Sequence, residues 1–192
     1  MATSLDVKVV LLGATSVGKT CIVTRTITDS FDPEQTPTVG ASFSIKNVNI
    51  NDTTMNLRIW DTAGQERFKS LAPMYYQGSQ AAIVVFSIID QESFLEADYW
   101  VDELKNHFQV PPKLFLVGNK LDLSDSRVIS TEQGEQRAQE INAIYFETSA
   151  KTGQNISELF TSIAQSLLDT NETETQSTNL TSAQTQEKKS CC

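Results

Sequence analysis

The chain has 192 residues, of which 39% are hydrophobic and 20% charged, and a formal net charge of −9. That length allows one domain with a sizeable core and a tail. The charge leaves no basic surplus to neutralise a phosphate backbone, which argues against a nucleic-acid partner. No apolar run approaches a membrane span, and Met1-Ala2-Thr3-Ser4 opens no signal-peptide core. Ala2 stands where N-myristoylation needs a glycine. Three cysteines without framework spacing suggest a reducing compartment. The Asn-x-Ser/Thr triplets at Asn51, Asn155, Asn171 and Asn179 are therefore read as chance.

Residues 6–12 are apolar and β-branched, as in a buried strand. They run into Gly13-Ala14-Thr15-Ser16-Val17-Gly18-Lys19-Thr20, and residues 19–28 suit a helix. Strand, glycine turn and helix N-terminus are the context in which G-x-x-x-x-G-K-[ST] cradles phosphate. The glycines let successive N–H groups point inward at the positive end of a helix dipole. Lys19 can reach phosphate oxygens as a point charge, and the Thr20 hydroxyl can ligate Mg²⁺. On this motif alone, a glycine turn that binds nothing stays open.

Pro33, Pro37 and acidic residues make residues 31–40 a loop. Residues 42–50 and 55–60 read as two strands around Asn51-Asp52-Thr53-Thr54. In the second, Met55, Leu57 and Ile59 share one face, and Asn56, Arg58 and Trp60 the other. A glycine-containing loop at 61–66 and a short mixed segment to Gln77 follow. Residues 81–88 read as a strand buried on both faces. Asp90 is a good N-cap for a helix whose apolar positions are Phe94, Ala97, Val101, Leu104 and Phe108, stopped by Pro111-Pro112. Residues 113–117 form the next strand. Ser130-Thr131-Glu132-Gln133 is a capping box opening a helix to about Glu140. Residues 142–147 are a short strand. Ile156, Leu159, Phe160, Ile163, Ala164 and Leu167 line one helix face. From Thr170 onward the composition turns polar, with one Leu and no aromatics, so residues 170–192 are expected to form a disordered tail behind a domain spanning 1–169. The alternation implies an α/β fold with a mostly parallel sheet and helices on both faces. Right-handed crossovers then gather the loops at strand C-terminal ends on one edge.

Three of those loops carry chemistry. In Asp61-Thr62-Ala63-Gly64-Gln65-Glu66, Asp61 can hold Mg²⁺ across from Thr20, Gly64 permits close approach to a terminal phosphate, and Gln65 could orient a water. In Asn119-Lys120-Leu121-Asp122, the Asp122 carboxylate can accept from guanine N1–H and N2–H₂, where adenine would leave it unpaired. The Lys120 stem can pack along the base. In Glu147-Thr148-Ser149-Ala150-Lys151, backbone N–H groups could meet guanine O6. Cys21 reads as a small residue behind the phosphate loop, and His107 as a cation near a helix C-terminus.

GATSVGKT, DTAGQE, NKLD and ETSAK in this order resemble the small Ras-like GTPases. Trp60-to-Phe68 (WDTAGQERF) and the terminal Cys191-Cys192 resemble the Rab family. Ser70-to-Tyr76 and Gln80-to-Val85 most resemble its early-endosomal branch. The resemblance covers residues 6 to about 168. It implies a P-loop NTPase with a six-stranded sheet, the Ras-like G domain, that binds GTP/GDP with Mg²⁺ and hydrolyses GTP slowly until a partner helps. By position it implies nucleotide contacts from Ser16, Val17, Gly18, Lys19, Thr20, Cys21, Phe31, Thr38, Gly64, Asn119, Lys120, Asp122, Ser149, Ala150 and Lys151. Catalysis falls to Gln65 and Lys19, the metal to Thr20, Thr38 and Asp61, and effector contact to Phe43, Trp60 and Tyr75. Cys191 and Cys192 would be geranylgeranylated through an escort protein, anchoring a monomer to the cytoplasmic face of endosomes, with a cytosolic pool. Lys188 and Lys189 are offset by nearby glutamates, so the lipids must do most of the anchoring. Expected partners are an exchange factor, a GTPase-activating protein, effectors and a GDP-dissociation inhibitor. Two departures are notable. Ser87-Ile88-Ile89 replaces an acidic residue and a hydroxyl, and bulky Thr15 and Ser16 can crowd Gln65 and slow hydrolysis. A constitutively GTP-bound scaffold is the alternative. A P-loop kinase or ATPase is opposed by Asp122 and by the absence of an arginine-rich lid.

Overall fold

Alternation along the strands sorts the apolar side chains into two layers. The computed structural model describes the backbone of residues 3–183 and the side chains of residues 3–169. Along β1 (Thr3–Leu12), Val7, Val9 and Leu11 join one core, and Val10 and Leu12 the other. Along β4 (Ala81–Ser87), Ile83 and Val85 oppose Val84 and Phe86. Along β5 (Lys113–Asn119), Phe115 and Val117 oppose Leu114 and Leu116. Both faces of these strands are covered, which is why they read as continuous apolar runs.

The first core is closed by α1 (Lys19–Thr28) and α5 (Ile156–Ala183), through Ile22, Val23, Leu159, Phe160 and Ile163. The second is closed by α2 (Ala72–Tyr76), α3 (Gln91–His107) and α4 (Thr131–Ile141), through Tyr76, Trp100, Val101, Leu104 and Ala138. Among the described residues the sheet has six strands. They are completed by β2 (Ala41–Ile50), β3 (Thr53–Thr62) and β6 (Ile144–Thr148), in the order β2-β3-β1-β4-β5-β6. The β2–β3 pair is antiparallel and every other pair parallel. β1 lies between β3 and β4, so the strand order reverses at its C-terminal end. A crevice opens at such a switch point, and here residues 13–18 occupy it.

Both predicted caps form. Asp90 accepts from Glu92 N and Ser93 N at 3.0 and 3.3 Å. Ser130 Oγ accepts from Gln133 N at 3.2 Å, and Gln133 Oε1 accepts from Ser130 N at 2.8 Å.

Several boundaries differ from the sequence reading. β1 starts at Thr3, because its polar first residues pair with β3 from Thr3–Thr53 onward. The loop around residue 51 shrinks to Asn51-Asp52, with Asn51 at φ 51°. β3 continues through Thr62, so Asp61 lies inside the ladder beside Leu11 and Ser42 rather than in the loop after it. α3 ends at His107, and Phe108 is its C-cap, half-buried but outside the helix. Trp100 is 1% exposed and was absent from the predicted apolar face, although 97, 100, 101 and 104 form one helical stripe. Asn142 is the left-handed C-cap of α4, and β6 begins only at Ile144. α5 continues to Ala183, so the domain edge expected at Thr170 falls inside an element. Cys191 and Cys192 lie outside the described residues.

Gly134 yields a test in which packing and propensity disagree. Ala favours a helix interior over Gly by about 1 kcal/mol, but a Cβ at Gly134 would overlap Tyr145 Oη and Cζ. Gly134→Ala is expected to destabilise the fold by about 1–3 kcal/mol in urea unfolding. Tyr145→Ala, by removing the ring, should make the alanine at 134 neutral or better.

Candidate functional site

The turn after β1 requires glycine at both ends. Gly13 has φ 140°, and a Cβ there would overlap the Val85 carbonyl. Gly18 has φ 99°, and its Cβ position is taken by Asn119 Nδ2. α1 begins on Gly18 with no side-chain cap. The amides of its first turn therefore have no side-chain acceptor and are available to an anion.

Lys19, in the first turn of α1, is 5% exposed. Its ammonium donates to Gly13 O and Ala14 O, both at 2.7 Å. Burial lowers its pKa to about 8, against the opposing pull of the Asp61 charge.

Thr20, Thr38 and Asp61 meet beside it from α1, the 29–40 loop and β3. Thr20 Oγ1 lies 2.6 Å from Thr38 Oγ1 and donates to Asp61 Oδ2 at 2.7 Å. Thr38 Oγ1 is 3.5 Å from the same oxygen. Asp61 is fully buried, and its Oδ1 has no hydrogen-bond partner among the described residues. Burial, the leading cause, pushes its carboxyl pKa up. A buried carboxylate oxygen without a partner, beside two hydroxyls, suits a hard divalent cation. Among the described residues no three His, Cys, Asp or Glu cluster together. One carboxylate and two hydroxyls fit an ion that keeps several waters, as Mg²⁺ does.

A cavity of about 270 Å³ opens over this group, lined by Thr15, Ser16, Lys19, Thr20, Thr38 and Gln65 among others. Gly64 was expected to approach a phosphate closely. In the structure it approaches the phosphate loop itself: a Cβ there would stand 2.5 Å from Ala14 C and O and 2.6 Å from Thr15 N. Gln65 Oε1 accepts from Arg67 Nε at 2.7 Å.

A second cavity, of about 320 Å³, shares Ser16, Gly18, Cys21, Phe31 and Pro33 with the first. Asn119, Lys120, Asp122, Ala150 and Lys151 add its far walls. The two form one cleft, cationic at one end and carrying a carboxylate at the other. Lys120 turns the chain at φ 71°. Asp122 Oδ1 accepts from Ser149 Oγ at 2.6 Å, so Ser149 is buried behind the wall and orients Asp122. Val17 is likewise buried and offers its carbonyl to Asn119 Nδ2 at 2.8 Å. Cys21 is half-buried, and burial pushes its thiol pKa up, which keeps it protonated.

The aromatic trio is also assembled. Phe43 faces Trp60 at 5.3 Å between ring centroids, and Trp60 faces Tyr75 at 6.1 Å. Phe43 is 49% exposed, whereas Met55, Leu57 and Ile59 on the other face of β3 are fully buried. Two arginines that the sequence reading passed over frame the base-side loops. Arg127 grips Glu147 with both terminal nitrogens, at 2.6 and 2.8 Å. Arg25 donates to the carbonyls of Ala150 and Lys151, at 2.9 and 2.7 Å. These partners stand 20 and more than 120 residues apart, so no local pattern announces them.

The Ras family model matches residues 8–169. The chain is 48% identical over 160 residues to Ras-related protein Rab-5A of Dictyostelium discoideum, covering 83% of this chain and 80% of that one. It is 47% identical over 165 residues to Ras-related protein Rab-22A of Mus musculus, covering 86% and 85%.

Lys19 makes the phosphate end testable by proton counting. Its folded pKa of about 8 lies below the ordinary lysine value, so it loses its proton early in the empty protein. An anion beside it restores the proton. Binding of GDP at pH 8 should therefore take up about half a proton at this site, read by calorimetry in buffers of different ionisation enthalpy. The uptake should fall towards zero by pH 7 and be missing in Lys19→Arg, whose guanidinium keeps its proton throughout.

Proposed function

The chain belongs to the Ras family, as a Rab GTPase that hydrolyses GTP to GDP, and from that premise we propose that the cleft is the nucleotide site of a switch governing vesicle traffic. The observation that carries this reading is the single cleft with Lys19, Thr20, Thr38 and Asp61 at one end and Asp122 at the other.

In this reading Asp122 accepts from guanine N1–H and N2–H₂, and the amides of Ala150 and Lys151 meet O6. Lys120 and Phe31 flank the base, and the amides of Ser16, Val17, Gly18 and Cys21 surround the phosphates. Lys19 exchanges two backbone carbonyls for phosphate oxygens, which returns its charge to a matched environment. Thr20, Thr38 and Asp61 would hold Mg²⁺, which when bound neutralises charge on the phosphate oxygens. Gln65 orients the attacking water once Arg67 lets go of it. Arg67 itself is engaged with Gln65 and stacks 4.9 Å over the Phe68 ring. With no other cis arginine over the phosphate end among the described residues, intrinsic turnover is slow, and an activating partner supplies the missing charge. Thr38 and Gly64 sense the third phosphate, and its loss releases the 29–40 loop and the segment after β3.

The row of Phe43, Trp60 and Tyr75, exposed at Phe43 and half-buried at the other two, is the effector face, an aromatic patch beside the 29–40 loop and the segment after β3. Prenyl groups on Cys191 and Cys192 anchor the monomer to the cytoplasmic face of endosomes, two chains sufficing for stable attachment. An exchange factor, a GDP-dissociation inhibitor and a prenylation escort complete the cycle. A constitutively GTP-bound scaffold is favoured by one observation: Gln65 is held by Arg67, beside bulky Thr15 and Ser16.

GTP should displace a labelled guanine nucleotide at least about a thousandfold better than ATP. Asp122→Ala should weaken GDP about a hundredfold or more. Tight ATP binding would sink the guanine assignment. In single-turnover hydrolysis, Gln65→Leu should be at least about tenfold slower than the unmodified protein. Equal rates would favour the scaffold. Replacing both Cys191 and Cys192 with Ser should move the protein from membranes to cytosol in fractionated cells.

A further inference from the structure

Arg25 sits six residues into α1 from Lys19, with its side chain 15% exposed. Every nitrogen of its guanidinium is engaged. Nε donates to Ala150 O at 2.9 Å and Nη2 to Lys151 O at 2.7 Å. Nη1 donates to Asp29 O at 2.7 Å and Asp29 Oδ1 at 3.2 Å. It therefore ties the end of the helix that begins at the phosphates to the loop that forms one wall of the base cavity.

The peptide plane gives this tie a direction. In a trans peptide the C=O and the following N–H point opposite ways. Pulling Ala150 O towards Arg25 turns the Lys151 N–H away from Arg25. Ala150 and Lys151 line the base cavity. The Ala150 N–H meets Asn119 Oδ1 only at 3.3 Å, a long contact that leaves it able to serve a better acceptor. Nothing else described holds these two carbonyls.

We propose that Arg25 is a positioning residue for base recognition: it aims the Lys151 amide at the purine 6-oxygen, fixes the 150–151 turn that carries the Ala150 amide, and couples the phosphate half of the cleft to the base half through α1. This deepens the nucleotide-site reading and rests on it. A helix-end role alone would be served by the Asp29 contacts; the two bonds to Ala150 and Lys151 point to the loop. The coupling also has a consequence for release. A change that draws Arg25 off these carbonyls frees the loop, even when it touches neither nucleotide nor metal ligands.

The experiment compares dissociation of GDP with that of 6-thioguanosine diphosphate, which keeps the N1–H and N2–H₂ that Asp122 reads but carries sulfur, a weaker hydrogen-bond acceptor, in place of the 6-oxygen. Arg25→Ala should speed GDP release about tenfold, two charge-assisted bonds being at stake. Release of the 6-thio analogue should change much less, so the preference for GDP shrinks. Arg25→Lys, which can reach one carbonyl but not both, should fall between. Equal acceleration of both ligands would mean general loosening and overturn the proposal, as would unchanged GDP release. An unmodified protein that holds GDP no better than the 6-thio analogue would instead remove the reading in which the loop amides meet the 6-oxygen. Circular dichroism melting of both variants without nucleotide reports any loss of folding separately.

Discussion

One carboxamide holds the site together. Asn119 is 2% exposed and joins its own loop to two others. It donates to Val17 O in the phosphate loop and accepts from Thr148 Oγ1 and the Ala150 amide after β6. Each bond contributes about 1 kcal/mol net, but a buried group left without its partner costs about 1–3 kcal/mol. Gly18 is part of the same constraint, because the Asn119 amide occupies the place of its missing Cβ. Three loops that meet in this way must keep their spacing, and that spacing is the length of the cleft.

Around that staple, the electrostatics are left unfinished by the protein alone. Lys19 is buried against carbonyl oxygens, with its pKa lowered by desolvation, and Asp61 is buried with one oxygen unpartnered and its pKa raised. Desolvation works against the charged form of each. In the proposed function a polyphosphate with its cation supplies what both lack. Thr38 meets this group through its hydroxyl, while Gln65 is bonded within its own segment to Arg67. In the proposed switch these are the contacts that change with the third phosphate.

The motif residues were legible because their chemistry is local. The phosphate loop needs glycine at defined places, and the 119–122 and 147–151 segments each place their polar groups within a few residues. Alternation in β3 placed Trp60 opposite Met55, Leu57 and Ile59, and the structure agrees. The misreadings have equally local causes. Trp100 shares the buried stripe of α3, but a 3,4,3,4 count starting at Phe94 steps over it. Asp61 looked like a loop residue because the alternation ends visibly at Trp60, while the β2 and β1 ladders carry β3 on through Thr62. For Gly64 the structure adds a second reason for glycine beside the expected phosphate, because the Ala14 backbone occupies the place of a Cβ.

The sequence by itself determined the α/β class, the chain order of the six strands and the four longer helices, the two good caps and the residue types at each end of the cleft. Those follow from periodicity, from glycine's backbone freedom and from donor and acceptor chemistry, all readable within a few positions. Only the tertiary structure decided how the two ends become one cleft. It brought Arg25 to Ala150, Arg127 to Glu147 and Asn119 to Val17. Such contacts join residues 20 to more than 120 positions apart, and they exist because parallel strands deliver distant loops to the same edge of the sheet. A guanidinium's choice of partner is set by that delivery, and no pattern along the chain encodes it.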